Sequence, residues 1–401
     1  TKLNSMPNPK RLRVLWLCSW YPSEVEPFSG DFIQRYAEAV GDFADVHILH
    51  AVGSAKYRTS NYQYRKRTNT FSESVCVYPK ANFWQKWFSA IRWWMSMMRM
   101  FRVYRKQVGI PDLVHVQVLF KSGLLARYLY WRYGLRYVVT EHYGIYNDKV
   151  SDRFANRSFL FRLLSRFGYA AATCSISVSE YLQGQMNRFL TYKPHVVIPN
   201  VVNTRLFFPI HSANRPFVFL HVSELTDNKN PLAIIRVFQK IRKLHPSIFL
   251  QVVGSLRNQP VLRESYEELE STGIHFSGEI SYEQVSLYMK QSDCLILFSH
   301  MENSPCVIGE ALCSGLQVIA SDVGGVKELI DLECCQLVQA GDEEALYVAM
   351  LKALDRKVLI DRFGVAARAR AKFSYKVVGE SIYQAYAGLH LERTELNGSI
   401  S

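Results

Sequence analysis

Short apolar, β-branched runs alternate with helix-length segments along all 401 residues, and no other feature narrows the fold as far. In the first half the runs fall at 13–19 (RVLWLCS), 45–51, 75–79, 113–117 (LVHVQ), 136–142 (RYVVTEH), 173–178 and 195–198 (HVVI). In the second half they fall at 217–222 (FVFLHV), 248–253 (IFLQVV), 274–277, 294–299 (CLILFS) and 317–321 (QVIAS). A strand buried on both faces reads as a continuous apolar run, and alternation with helices implies parallel sheets. The pattern restarts after the Pro- and Asn-rich stretch 199–216, which marks a domain boundary. The expected fold class is α/β, with two Rossmann-like, doubly wound domains at 1–200 and 201–375. Ligands bind outside the carboxyl ends of parallel strands, so the two ends are expected to face each other across a central cleft.

Composition limits the function classes. Hydrophobic residues make up 48% and charged residues 21%, which supplies two cores. No apolar run approaches the roughly 18 residues that cross a bilayer. The basic residues Lys10, Arg11 and Arg13 precede an apolar run, Val14 to Cys18, too short for a signal peptide, so it reads as a first strand. The expected location is cytoplasmic, with peripheral attachment to the inner face of a membrane as its extension. The eight cysteines form no Cys-x-x-Cys pair and read as reduced core thiols. The net charge of +13 is uneven: residues 1–200 hold 28 Lys and Arg against 12 Asp and Glu, and residues 201–401 hold 20 against 23. The first half is therefore expected to meet a polyanion or an anionic surface.

The segment 294–330 carries the chemistry. A buried strand ends near Ser299, and a loop follows with Glu302 and Asn303. Ser304 and Pro305 then predict a helix start, with Ser as N-cap and Pro at the first helical position, and Gly315 predicts its stop. Free backbone amides at Ser304, Pro305, Cys306 and Val307, apart from the proline nitrogen, would form an anion site suited to a diphosphate. Gly324-Gly325 offers a second place for close approach of backbone to a ligand. Glu310 lies among Ile308, Gly309, Ala311 and Leu312 on an apolar helix, where a carboxylate needs partners such as ligand hydroxyls.

The order Glu302-Asn-Ser-Pro, Glu310-Ala311, Gly315, a strand and then Asp322-Val-Gly-Gly-Val-Lys-Glu-Leu-Ile resembles the donor-binding signature of retaining family-4 glycosyltransferases of the GT-B fold, the glycosyl transferases group 1. The stretch 140–144 (TEHYG) resembles the His loop of that family's N-domain, and 198–203 (IPNVVN) its interdomain segment. Gly30-Asp31-Phe32 resembles its first glycine loop. Phe373-Ser374-Tyr375 resembles the opening of its last helix, which implies a helix over 376–395 crossing back to the N-domain. The resemblance implies that Glu310 accepts hydrogen bonds from a nucleotide ribose and that Glu302 contacts the transferred sugar. Amides from Ser304 to Val307 and Lys229 would bind the diphosphate, Gly30 would pass close to the phosphates, and His142 would approach the sugar. Read without the family, His142 is a buried strand-end histidine and Gly30 a turn residue. One position departs from the pattern: where the family has Gly-Arg-Leu-x-x-x-Lys-Gly, this chain reads Ser223-Glu224-Leu225-Thr-Asp-Asn-Lys229-Asn, with an acid at the arginine's place.

The expected activity is a retaining hexosyl transfer from a nucleotide-diphosphate sugar to a glycan or lipid-linked acceptor in cell-surface polysaccharide synthesis. No Asp-x-Asp motif or His/Asp/Glu ligand cluster stands out, so neither metal nor cofactor is expected, and the nucleotide sugar is a substrate. A glycoside hydrolase also uses paired carboxylates but needs no helix-terminal anion site. A non-hydrolysing sugar-nucleotide epimerase of similar fold is the closer rival. A basic nucleic-acid-binding protein is the rival from another class, though no nucleic-acid-binding motif is present and nucleic acid is not an expected partner.

A last feature is the acid-free stretch between Glu73 and Asp112. Trp84, Trp87, Phe88, Ile91, Trp94, Met95, Met98 and Phe101 recur at helical spacing on one side, opposite Arg92, Arg99, Arg102 and Lys106. One reading is a helix packed on the sheet; the other is a surface helix at an anionic bilayer, with Arg65-Lys66-Arg67 adding to its charge.

Overall fold

The computed structural model describes residues 11–80, 86–148, 150, 152–211, 215–357 and 359–398. The first sheet comprises β1 (Arg13–Cys18), β2 (Asp45–Ser54), β3 (Asn61–Lys66), β4 (Phe71–Pro79), β5 (Leu113–Gln117), β6 (Tyr137–Glu141), β7 (Cys174–Ser177) and β8 (His195–Val197). Its order is β3-β4-β2-β1-β5-β6-β7-β8, parallel except for β3, which pairs antiparallel with β4 at the edge. The second sheet comprises β9 (Val218–Val222), β10 (Phe249–Val253), β11 (Ile274–Phe276), β12 (Cys294–Leu297), β13 (Gln317–Ser321) and β14 (Cys335–Val338). Its order, β11-β10-β9-β12-β13-β14, is the 3-2-1-4-5-6 arrangement of a doubly wound sheet, all parallel. The expected α/β class with two Rossmann-like domains is what the chain adopts. The strands β3 and β14 were not anticipated, because NYQYRK is polar at an exposed edge and Gln336 interrupts the apolar run of CQLV.

Helices cover both faces of each sheet. In the first domain they are α1 (Asp31–Gly41), α2 (Lys86–Gln107), α3 (Ser122–Tyr133), α4 (Phe159–Ala170) and α5 (Glu180–Asn187). In the second they are α6 (Pro231–Leu244), α7 (Pro260–Glu264), α8 (Tyr266–Ser271), α9 (Tyr282–Lys290), α10 (Cys306–Cys313), α11 (Glu343–Asp355) and α12 (Arg362–Phe373). The last helix, α13 (Tyr375–Gly398), returns to the first domain: Val378, Ile382 and Tyr386 join the core beneath α1, and the Tyr375 hydroxyl donates to Glu38 at 2.9 Å. Each sheet separates two apolar layers, so burial on both faces explains why its strands read as unbroken apolar runs. All eight cysteines are free thiols, and seven are buried.

Helix α2 corrects the expected face. Trp93, Met97, Met98, Met100, Phe101 and Tyr104 are the side chains that sink into the core on the sheet. Trp87, Phe88, Ile91 and Met95 are exposed beside Arg92, Arg99 and Arg102, and Trp94 is half-buried against Tyr128. The helix is apolar around most of its circumference, and the side that meets β2 and β4 is the one that buries. Trp84 lies outside the described residues. Of the basic trio at the end of β3, Arg67 and Arg65 reach Glu73 at 2.8 and 3.7 Å, so one of the three charges is locally matched.

Candidate functional site

The two sheets meet at their carboxyl ends, and the cleft there collects most of the singled-out residues. Its floor on the second domain is α10. That helix begins one residue later than the sequence predicts: Pro305, with φ −70° and ψ 123°, occupies the cap position, and Ser304 does not cap. The Ser304 carbonyl instead accepts from Asn200 Nδ2 at 2.6 Å, pinning the helix entrance to the interdomain segment. Gly315, with φ +74°, stands just past the helix, as the stop requires.

Glu302 is 9% exposed and has two donors: Lys229 Nζ at 2.5 Å and Ser299 Oγ at 2.7 Å. Lys229 ends a short 3₁₀ turn, Asp227–Lys229, that precedes α6. The sequence had given Lys229 to the diphosphate and Glu302 to the sugar; in the structure they form one ion pair. Gly324 and Gly325 lie against the same loop. A Cβ on Gly324 would sit 1.8 Å from the Glu302 carbonyl oxygen, and one on Gly325 2.1 Å from that of Asn303. The close approach expected there of a ligand is made by the chain itself.

His142 follows β6. Its Nε2 lies 3.1 Å from Gln117 Oε1, and its ring centroid is 4.7 Å from Phe32 and 5.7 Å from Tyr36. Burial lowers its pKa to about 3, so the imidazole is neutral. The His142 carbonyl accepts from Asn303 Nδ2 at 3.1 Å, so the histidine loop and the Glu302 loop touch across the cleft. Gly30, with φ +66°, opens α1. A Cβ there would come within 2.8 Å of the Trp20 backbone, which demands glycine on its own account.

Glu310 is buried at 5% exposure, and burial raises its pKa while Arg35 pulls it down. Together with Ser223, Glu224, Glu279, Ile280, Cys306 and Val307 it lines an interdomain cavity of about 660 Å³. Residues missed by the sequence reading stand around it. Arg35 from α1 reaches across with Nη2 4.0 Å from Glu310, its guanidinium carbon 4.2 Å from the Tyr282 ring centroid. Tyr282 follows Ser281, whose capping box with Gln284 starts α9. The Asp31–Arg35 spacing of one helical turn was the available signal for the arginine; its partners in the other domain left none. Three buried polar atoms around this site have no hydrogen-bond partner among the described residues, Arg35 Nε, Asn303 Oδ1 and Ser304 Oγ, while the Tyr282 hydroxyl faces the Glu310 carboxyl. A polar ligand in the cleft would satisfy them. Among the described residues no group of three His, Cys, Asp or Glu side chains could hold a metal ion, and no helix is long and apolar enough to cross a membrane.

Residues 202–370 match the family model described as glycosyl transferases group 1, and residues 35–206 match that of glycosyltransferase family 4. With the two facing Rossmann-like domains, these matches make the chain a glycosyltransferase of GT-B type. It is 21% identical over 366 residues to TuaC of Bacillus subtilis, a glycosyltransferase named for teichuronic acid biosynthesis, covering 85% of this chain and 89% of the relative. It is 25% identical over 305 residues to an MMP α-(1→4)-mannosyltransferase of Mycolicibacterium hassiacum, covering 72% and 73%. Among solved structures, a sucrose-phosphate synthase of Thermosynechococcus elongatus superposes with a TM-score of 0.72 at 18% identity, covering 95% of this chain and 100% of that one. Anabaena HepE, solved in complex with UDP, superposes with a TM-score of 0.68 at 15% identity, covering 94% and 100%.

Proposed function

We propose that the chain transfers a hexose-type sugar, with retention and without a metal, from a nucleoside-diphosphate sugar to a glycan or lipid-linked acceptor in cell-surface polysaccharide synthesis. The observation that carries this reading is the cavity where Glu310 and the first residues of α10 face Arg35 from the first domain, whose Nε has no hydrogen-bond partner among the described residues. The ribose hydroxyls donate to Glu310, and the diphosphate lies at the α10 entrance with Lys229 nearby. Glu302 accepts from the sugar's hydroxyls, and neutral His142 closes the sugar site from the first domain. The acceptor hydroxyl attacks the anomeric carbon from the side the diphosphate leaves. The new glycosidic bond forms as the carbon–phosphate-oxygen bond breaks, and the departing oxygen takes the acceptor's proton. Amides and a lysine that stabilise the growing negative charge contribute several kcal/mol in sites of this kind.

The names of the two relatives, one in teichuronic acid synthesis and one a mannosyltransferase, support a carbohydrate acceptor and a hexosyl group. An anionic membrane surface fits the first domain. Helices α2, α3 and α4 contain no acidic residue, and they expose Trp87, Met95, Trp131, Phe159, Leu160 and Phe167 among arginines.

Incubation with UDP-, GDP- and ADP-sugars tests the reading, with free nucleoside diphosphate as the readout. Donor-dependent release that rises with added acceptor is expected. No release from any donor ends the reading, and acceptor-free conversion of the sugar nucleotide to its epimer replaces it with the epimerase.

A further inference from the structure

The loop after β9 that should present an arginine to the diphosphate presents Glu224, exposed and lining the cavity. A carboxylate repels phosphate, so the compensating charge must come from elsewhere. Two basic side chains line the cavity, Arg35 and Arg257, and Lys229 is already bonded to Glu302. Arg257 is exposed on a short turn after β10.

Arg35 is of a different kind. It is 8% exposed, although an arginine is seldom buried unless its donors are matched. Its matching is incomplete: Nη1 donates to Asp31 at 2.6 Å, Nη2 stops 4.0 Å short of Glu310, and Nε has no hydrogen-bond partner among the described residues. An arginine kept only to neutralise Glu310 would close to hydrogen-bonding distance, where two charges in a dry site attract most. The guanidinium instead stands off, stacked on Tyr282. It lies at the first turn of α10, near enough to Cys306 to pull that thiol's pKa down against the burial that raises it.

We propose that Arg35, reaching from the first domain, is the planar cation that clamps the donor's diphosphate in place of the arginine that Glu224 replaces. The inference rests on the donor-site reading above and adds to it a residue from the opposite domain. A clamp so placed binds the anion only when both domains are near it, which ties tight donor binding to the closed cleft.

Calorimetric titration with UDP and GDP, and in parallel with uridine and guanosine, tests this. The unsubstituted protein binds one of the diphosphates. Arg35→Ala weakens that diphosphate by about 10- to 100-fold, the range for losing a charge-assisted hydrogen bond, and weakens the matching nucleoside at least about threefold less, by the loss of Arg35's pull on Glu310 alone. Arg35→Lys retains part of the loss, since an ammonium keeps the charge without the fork. Adding Glu224→Arg to Arg35→Ala restores diphosphate affinity by about tenfold or more. Arg257→Ala changes it by less than about threefold. The inference is overturned if Arg35→Ala binds the diphosphate normally, if it loses nucleoside and diphosphate equally, or if Arg257→Ala reproduces the loss. No binding of either diphosphate by the unsubstituted protein at millimolar concentration overturns the donor reading itself, and this inference with it.

Discussion

Replacing Gly324 by alanine strikes the point where two loops of the site bear on each other. Gly324 has φ +56°, and its added Cβ would lie 1.8 Å from the Glu302 carbonyl oxygen, where real Cβ atoms essentially never approach within 3.0 Å. The two loops must therefore part by at least the difference, 1.2 Å. Glu302 sits on one of them, and its bonds to Lys229 at 2.5 Å and Ser299 at 2.7 Å cannot survive such a shift unchanged. A misplacement of about 1 Å in a positioned site costs about 10²-fold in rate. The backbone conformation alone costs an L residue about 1 kcal/mol, and a control isolates that part. Gly134, at the end of α3, has φ +69° with nothing within 4 Å of its added Cβ. Gly134→Ala is thus expected to lose about 1 kcal/mol of stability with turnover intact, whereas Gly324→Ala loses more stability and about 10²-fold in turnover. Nucleoside diphosphate release and thermal melting measure both. Turnover of Gly324→Ala within threefold of the unsubstituted protein, with the melting point of the Gly134 control, would refute the reasoning.

Lys229→Ala is expected to lower turnover by about 10²- to 10³-fold, the cost of removing one charge-stabilising donor; near-normal turnover removes Lys229 from that role. Glu310→Gln should weaken UDP or GDP about tenfold, and should bind a 2′,3′-dideoxy analogue no worse than the unsubstituted protein does; an equal loss for both ligands contradicts a bond to the ribose. Burial lowers the pKa of His47, His50 and His221 to about 4 and of His142 to about 3, so these stay neutral in the fold but take up protons near pH 6.5 once unfolded. These histidines therefore favour unfolding as pH falls below about 6.5, by about 2 kcal/mol each at pH 5, and Glu141, whose carboxyl pKa burial raises to about 7, offsets about one of them. An unchanged urea midpoint between pH 7 and pH 5 would contradict this. Sedimentation with anionic vesicles at low salt is expected, and Trp87→Glu with Met95→Glu should abolish it; failure of the parent chain to sediment removes the membrane surface.

Much of the architecture was legible because strands buried on both faces are mostly apolar, as CLILF and VFLHV are, with buried polar positions such as Glu73, His115 and Gln117 matched by partners. β3 escaped because an antiparallel edge strand may be polar on its open side, as Asn61–Lys66 is. The start of α10 was misplaced by one residue because Pro305 suits the cap as well as the first helical position, and Ser304 spends its carbonyl on Asn200 rather than its hydroxyl on the helix. Glu310 stood out from its apolar neighbours, and the roles expected of Glu302 and Glu310 came from the segment's resemblance to a family signature. Arg35 did not stand out: its neighbours Tyr282, Cys306 and Glu310 lie far along the chain in the other domain, and only folding brings them to it. For the same reason the Lys229–Glu302 pair could not be foreseen from either residue's own surroundings.

The chain passes between domains twice, once near Val202 and once near Ser374. The passages run side by side as a parallel bridge, with the Val202 amide donating to the Phe373 carbonyl at 2.8 Å. The domains are thus fastened along this line, and again where the Glu328 carboxylate accepts from the Glu180 and Tyr181 amides at 2.7 and 2.9 Å. Helix α10 rides directly on the bridge: a Cβ on Gly309 would lie 3.1 Å from Val202 and 3.5 Å from the Phe373 ring. Both crossings between the domains therefore brace the helix that opens onto the cleft.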